Sequence, residues 1–485
     1  MARWNKSSPI FQSLVVGFVL FACPGLYGAI TGLGAGGGKP SSAVVGNVTN
    51  CALYGVYTFS AFFAGSVLNV FGPRWTLALG ALTYPLYASG LWIYDRTGYQ
   101  APPITFGAVL GIGAGFLWTT AGFVQYSYAD EKHKGKYIVL QWIMVAAGSF
   151  IGAAIEFGVN FHKTESDTGS PTSVYLIFII IELVSIVFGI FFVIHPKDLV
   201  RKDGTGIAVF KPRGFAEEAQ AYLKLLWDWK IWMLYIVGLS AEMCLSFQST
   251  MSAHVFNLRT RSLVNLCFWA VQIPATLALQ PIFDADMPRR RRAYIAATYV
   301  AVITLAIWID ETIWLTGPNK ISVNDDALNL DWTDDSALVG PLFSGYVLSG
   351  VIYAIWQSVV QFVISTLSND PKICARYAGM FKSSISLGMT VSFGVTAAEV
   401  EFLPQLKWQF SQQMISLVFL FVVCYFVTET NYYREDDVIV PTYVNEILHG
   451  RVDLERLQHE AAAHHGEIVD EDSKVEGSVH KMPVE

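Results

Sequence analysis

The sequence predicts an all-α integral membrane protein whose twelve transmembrane helices form two six-helix bundles. Three observations carry that prediction. Apolar runs of about 20 residues, long enough to cross a ~30 Å hydrocarbon layer as a helix, recur twelve times between Ile10 and Val427. The 485 residues are 53% hydrophobic and only 15% charged, a balance outside that of soluble domains. The runs also fall six and six about a polar, basic stretch. Each run must be a helix, because lipid offers no partner to an open backbone N–H or C=O.

Residues 1–9 are a short polar start with Arg3 and Lys6. No small-residue cleavage site follows the first apolar run, so that run reads as a retained span. The first bundle, residues 10–194, holds spans Ile10–Ile30, Val45–Leu68, Trp75–Tyr94, Ile104–Tyr126, Tyr137–Val159 and Ser173–Ile194. Residues 195–230 are a linker. Within it Tyr222, Leu225, Leu226 and Trp229 fall at i, i+3, i+4 and i+7, one apolar face of a helix lying on the membrane surface. The second bundle, residues 231–427, holds Ile231–Val255, Leu263–Phe283, Ala293–Ile309, Leu338–Ile364, Tyr377–Val400 and Phe410–Val427. Residues 428–485 are an acidic tail, with a helical stretch expected at about 443–465.

Lysine and arginine set the orientation. The segments on the side of the N-terminus carry 24 of them and the opposite segments 7, with Lys382 inside a span. The positive side faces the cytosol, so both termini are expected there.

Several classes are excluded. A net charge of −7 argues against nucleic acid. The six cysteines are scattered and form no CxxC pair, which indicates neither a disulfide framework nor a zinc site. His459, His464 and His465 cluster in the tail without a cysteine, so no metal is expected. Gly32-Leu-Gly-Ala-Gly-Gly37 satisfies GxGxxG but follows a membrane helix rather than a strand. It reads as a flexible exit from span one, and no cofactor is expected. No HExxH, GxSxG or facing pair of intramembrane aspartates suggests an enzyme, and no GxxxxGK[ST] loop suggests ATP. Asn47-Val-Thr49 is a glycosylation sequon abutting span two, so Asn47 is a candidate for modification.

The two halves resemble each other. Asp130, Lys132, Lys136 and Tyr137 before span five recur as Asp370, Lys372, Arg376 and Tyr377 before span eleven. Gly107, Val109, Leu110 and Trp118 match Gly345, Val347, Leu348 and Trp356 in spans four and ten. The loop from Asn69 to Arg74 parallels that from Asp284 to Arg289. Parallel repeats of this kind place a binding site between halves, near the midplane.

Gly65-Ser-Val-Leu-Asn-Val-Phe-Gly-Pro-Arg74 resembles the loop motif Gly-x-Leu-x-Asp-Arg-x-Gly-Arg-Arg of the major facilitator superfamily. Gly65, Gly72 and Arg74 fall on the pattern, while Asn69 stands at the acid and Val70 at the next arginine. The resemblance implies a cytosolic gate there, with its charge latch weakened at Asn69. Asp284 and the arginines from Arg289 to Arg292 look like the second copy, with the acid kept. Gln12 to Gly38, Phe71-Gly-Pro-Arg74 and Tyr377-Ala-Gly-Met-Phe-Lys382 are similar to the fungal form of the Unc-ninety-three-like branch. That branch implies a major facilitator fold, with span seven lining a central cavity. It also includes members resembling channel regulators or trafficking escorts.

Charge inside a membrane costs about 2.5–3.5 kcal/mol at a helix centre on insertion scales, so each instance needs a reason. Glu242 lies eleven residues into span seven, roughly 16 Å at 1.5 Å per residue, near the midplane. It reads either as a protonatable or cation-binding site or as a structural acid paired with a neighbouring helix. Lys382 reads as an anion contact, a partner of Glu242, or a side chain snorkelling to the inner surface, with snorkelling favoured. Glu182 reads as structural, and Glu156 and His254 as hydrated near the outer ends of their spans. Trp118, Gln272, Trp356 and Gln357 are the uncharged residues expected at a solute site, beside Tyr54, Tyr57, Gln125, Gln141 and Gln361. Taken singly, each is more readily read as helix-to-helix glue. Gly107, Gly111 and Gly115 form a close-packing stripe, and Pro24, Pro85 and Pro274 mark kinks.

These features lead to a secondary transporter of a small organic solute, working by alternating access and driven by a gradient, with proton coupling one reading of that gradient and metabolite efflux one reading of its direction. The rival is a non-transporting escort or regulatory subunit whose acidic tail binds a protein partner.

Overall fold

The computed structural model describes residues 5–32, 42–162, 172–210, 215–317, 321–435, 437–442 and 444. The Gly-rich motif beyond Gly32, the tail histidines and the tail helix expected at 443–465 lie outside the described residues, apart from position 444. Every regular element described is helical; the β content is two isolated bridges, Ala208 with Val438 and Phe256 with Leu330.

The chain opens with α1 (Pro9–Leu20), a π-helical turn (Phe21–Gly25) and α2 (Leu26–Gly32). Pro24 has no N–H to give and sits inside the wide turn, which absorbs the missing bond. Then follow α3 (Ser42–Phe71), α4 (Pro73–Ala81), α5 (Thr83–Thr97), α6 (Ala101–Ser127), α7 (Lys134–Asn160) and α8 (Thr172–Phe192). The third span is broken at Leu82, because Pro85 cannot bond back to Ala81. A short 3₁₀ turn (Pro196–Asp198) and α9 (Phe215–Leu226) form the linker; α9 carries Tyr222, Leu225 and Leu226 of the expected amphipathic helix, whereas Trp229 lies beyond its end and opens the next helix.

The seventh span is interrupted: α10 (Trp229–Leu239) and α11 (Cys244–Val255) leave Ser240 to Met243 non-helical. Next come α12 (Leu258–Leu277), α13 (Gln280–Phe283), α14 (Arg289–Thr316), α15 (Ser336–Ser365), α16 (Pro371–Ala397) and α17 (Phe402–Tyr425). Caps set several starts: Asp228, Asn257, Asp335 and Asp370 each accept a backbone N–H of the helix they open.

Five helix ends, in four helices, correct the apolar-run expectation. α12 starts at Leu258 rather than Leu263, α16 at Pro371 rather than Tyr377, and α17 at Phe402 rather than Phe410. α14 extends from Arg289 to Thr316, beyond Ala293–Ile309 at both ends. The cause is shared. Polar residues at these ends, such as Gln405 and Gln409, are buried against protein, so the helix continues where hydropathy stops.

Ten stretches among the described residues are long and apolar enough to cross a membrane. The interrupted α4–α5 stretch and α16, which carries Lys372, Arg376 and Lys382, are not among them. Lipid-facing aromatics such as Phe59 and Phe63 are exposed, while the interior is closely packed. α3 and α16 approach backbone to backbone. A Cβ on Gly65 would lie 2.5 Å from the Ala375 carbonyl oxygen, and one on Gly379 would lie 2.6 Å from that of Ala61. α3 packs on α16 and α7 on α12, so helices from before and after the linker meet around the centre.

Candidate functional site

A cavity lies where these helices meet. Tyr27, Tyr54, Tyr57, Tyr84, Trp118 and Trp142 line it from before the linker; Glu242, Leu245, Trp269 and Tyr353 line it from after. Pro24, in the π turn, completes the wall, so the distortion of the first span faces the cavity.

Glu242 reaches the cavity because its span is broken there. Breaking a helix at this depth frees backbone groups that lipid cannot satisfy, and neighbouring side chains take them up. Gln413 on α17 donates to the Ser240 carbonyl at 3.0 Å, Ser392 on α16 to that of Met243 at 3.1 Å, and Trp356 on α15 to that of Val237 at 3.3 Å. Gln413 in turn accepts from the Trp308 indole at 2.5 Å. Discontinuous helices of this kind form binding sites in membrane transporters.

The Glu242 carboxylate accepts from the Gln357 amide and is hydrogen-bonded by Tyr353. Gln357 accepts from Lys382 Nζ at 3.2 Å through its own carbonyl oxygen. Lys382 is 2% exposed and its ammonium lies 4.3 Å from the centre of the Trp118 ring. That corrects the snorkelling reading. The charge stays inside, held by an amide bridge to an acid and by a ring face, a contact worth about 2 kcal/mol when desolvated.

Of the residues expected at a solute site, Glu242, Trp118, Tyr54 and Tyr57 line the cavity, and Gln357 and Lys382 stand directly behind Glu242. Trp356 is spent on the Val237 carbonyl, and Gln272 is buried in α12 away from the lining. Tyr27, Tyr84, Trp142, Trp269 and Tyr353 were not foreseen. Aromatics also face lipid along the same spans, and spacing alone does not separate the two faces. Glu156 is buried rather than hydrated; Glu311, in the extended α14, is a further buried acid that accepts from Gln248 at 2.7 Å. Asn47 is 4% exposed within α3, which closes the sequon to a glycan on the folded chain.

Contacts enclose the cavity at both ends. At the end where α1 begins (the linker end), Arg376 on α16 pairs with Glu218 on α9 at 2.6 Å, and Asn69 donates to the same carboxylate at 2.9 Å and to the Lys372 carbonyl at 3.2 Å. The latch expected to be weak at Asn69 is thus rebuilt with an acid from the linker. Burial pushes the Glu218 carboxyl up, but bonds from Arg376 and Asn69 and the arginine charge outweigh it and hold it below the usual range. Gly72 takes a φ of +78°, which only glycine adopts freely, and Arg74 donates to the Val193 carbonyl at 2.8 Å.

The second copy departs from expectation. Arg289 pairs with Glu131 at 2.7 Å, while Asp284 receives a bond from Gln280 at 3.4 Å. Beside it, Lys134 donates to the Ser365 and Ser368 carbonyls and to Asn369 at 2.6–2.8 Å, placing a cation at the C-terminus of α15. The base of the tail joins this layer. Glu435 accepts from Ser368, Asn369 and Asp370 at 2.5–2.9 Å, and Ile439 donates to Ile207. At the opposite end, Asn160 bonds Ser262 at 3.3 Å, Asn265 bonds the Ala29 carbonyl at 2.9 Å, and Trp332 packs on Phe157 and Phe161.

The membrane-length helices, packed around an aromatic cavity at a broken helix, define the class: a multi-pass integral membrane protein, and its fold is like that of solved Major Facilitator Superfamily transporters. The transporter FucP in its outward conformation aligns over 88% of this chain and 100% of its own, with a TM-score of 0.57 and 12% identity. The family description "Ion channel regulatory protein UNC-93" matches residues 40–310. An uncharacterized membrane protein of Schizosaccharomyces pombe is 39% identical over 86% of this chain and 83% of its own length. UNC93-like protein 1 of Arabidopsis thaliana is 31% identical over 90% and 94%. The chain belongs to the UNC-93 family.

Proposed function

We propose that the protein is a secondary transporter of a small organic solute working by alternating access. α4–α5 and α16 complete a set of twelve spans; the bundles are residues 10–194 and 231–427, and both termini face the cytosol. The observation that carries the reading is the enclosed aromatic cavity around the broken span at Glu242. Its aromatic lining around one carboxylate suits a small organic molecule, and contacts at both ends suit a site opened to one side at a time. Glu242 serves as the coupling or solute-binding group, with Gln357 and Lys382 balancing its charge. The linker-end latch of Asn69, Glu218 and Arg376 is the cytosolic gate. Gradient-driven movement of solutes from a broad metabolite panel into sealed vesicles, with and without an imposed pH gradient, tests this. Movement of none of them by folded protein would contradict it.

A second reading, a membrane escort or regulatory subunit, is favoured by the family description and by the tail base being built into the linker end. The tail beyond residue 445 would then recruit a protein partner. Truncation there, leaving the packed segment to Thr442 intact, tests it. Loss of a co-purifying protein supports the escort, and unchanged company argues against it.

A further inference from the structure

The cavity at Glu242 has a chemical bias that names a solute class, an inference that rests on the transporter reading above. Among the lining residues Glu242 is the one ionisable at neutral pH, and eight of the others are tyrosine or tryptophan. Aromatic walls around one carboxylate are the arrangement that receives an organic cation, through ring faces and a counter-charge. The protein already shows a cation held this way. Lys382 presses its ammonium against Trp118 from behind the cavity wall and is tied to Glu242 through Gln357. A second feature concerns the solute's other end. The indole N–H groups of Trp142 and Trp269 both belong to cavity-lining, buried residues and find no acceptor among the described residues. Buried donors of this kind are costly unless something accepts from them.

We propose that the cavity binds a protonated amine carrying a flat apolar body and an oxygen acceptor. The ammonium faces Glu242, the body lies between the rings, and the oxygen accepts from Trp142 or Trp269. In the solute-free protein Lys382 is a tethered stand-in for that ammonium, and the arriving cation takes over part of the Glu242 charge from it.

Isothermal titration calorimetry on the full chain in lipid nanodiscs tests this with one ring system and three head groups: tryptamine (cation), indole-3-acetamide (neutral) and indole-3-acetate (anion). 5-Methoxytryptamine adds the oxygen. The expected order is tryptamine at least tenfold tighter than the amide or the acetate, and 5-methoxytryptamine tighter still. Glu242→Gln should lose at least tenfold for tryptamine. Lys382→Gln, which removes the stand-in, should gain several-fold, so the two variants move in opposite directions and misfolding does not imitate the pair. Equal affinity for the three head groups, preference for the acetate, or no binding of any would overturn the cation assignment. Gradient-driven flux of a neutral or anionic solute alongside any of those results would leave the transporter reading standing, and absence of all flux would remove both.

Discussion

Gln357 donates its amide N–H to Glu242 and accepts the ammonium of Lys382, so two opposite charges inside the bundle are joined through one neutral side chain. A direct ion pair would fix both groups in one geometry. An amide bridge leaves each within reach of a competitor, which suits a site that must release what it binds. Gln357→Leu removes both bonds and strands two buried groups, each at a cost of about 1–3 kcal/mol or more. The expected result is a clear drop in the thermal unfolding midpoint together with loss of flux. An unchanged midpoint would show that the bridge carries no weight.

The linker-end latch predicts a conformational readout from a native cysteine. Cys374 is 1% exposed at the start of α16, two residues from Arg376. Removing one partner of a buried pair is expected to cost about 3–5 kcal/mol. Glu218→Ala should therefore loosen α9 from α16 and speed maleimide labelling of Cys374 at least tenfold. Cys374→Ser in the same background identifies the signal. Labelling as slow as in the parent protein would mean that the α3–α16 packing holds this end without the charge.

Gly65 is a steric test of the same end. Its Cβ would fall 2.5 Å from the Ala375 carbonyl and 2.6 Å from the Arg376 Cα, both backbone atoms that cannot rotate aside. Gly65→Val should destabilise by about 1–3 kcal/mol and, by prising α3 from α16, also speed Cys374 labelling. A neutral substitution would contradict the close approach.

The tail base is expected to respond to pH. Burial pushes the Glu435 carboxyl up to about 7 from its usual 4.5, against the bonds from Ser368 and Asn369 and the Lys134 charge. The docked segment therefore holds the proton more tightly than a free chain does, which favours docking at low pH. That advantage is complete below about 4.5, declines through the interval, and is lost above about 7. Amide hydrogen exchange over residues 427–442 should be slower at pH 5.5 than at pH 8 after correction for intrinsic rates. Glu435→Gln should flatten the difference; exchange favouring high pH would reverse the account.

Much of the fold was legible in the sequence because lipid leaves a spanning segment one solution, and hydropathy reports it directly. Glu242 stood out for the same reason: an acid far from both ends of an apolar run is rare. The break around it was not legible, since Leu239 to Leu245 holds no proline or glycine. Its carbonyls are met by Gln413, Ser392 and Trp356 from distant helices, which no local pattern records. Lys382 was misread because snorkelling is judged from depth alone, whereas Gln357 and Trp118 decide the matter from other spans. Asn69 looked like a lost acid because its replacement, Glu218, lies 149 positions away in the linker.

The most direct test of the central claim is counterflow across sealed vesicles, with protein bearing Glu, Asp or Gln at position 242 and each vesicle set loaded with whichever solute the panel identifies. The account predicts robust exchange with glutamate, reduced exchange with Glu242→Asp, and loss of at least tenfold with Glu242→Gln at equal folded protein. Exchange by Glu242→Gln equal to that of the parent protein would contradict it and move the solute pathway away from the broken span.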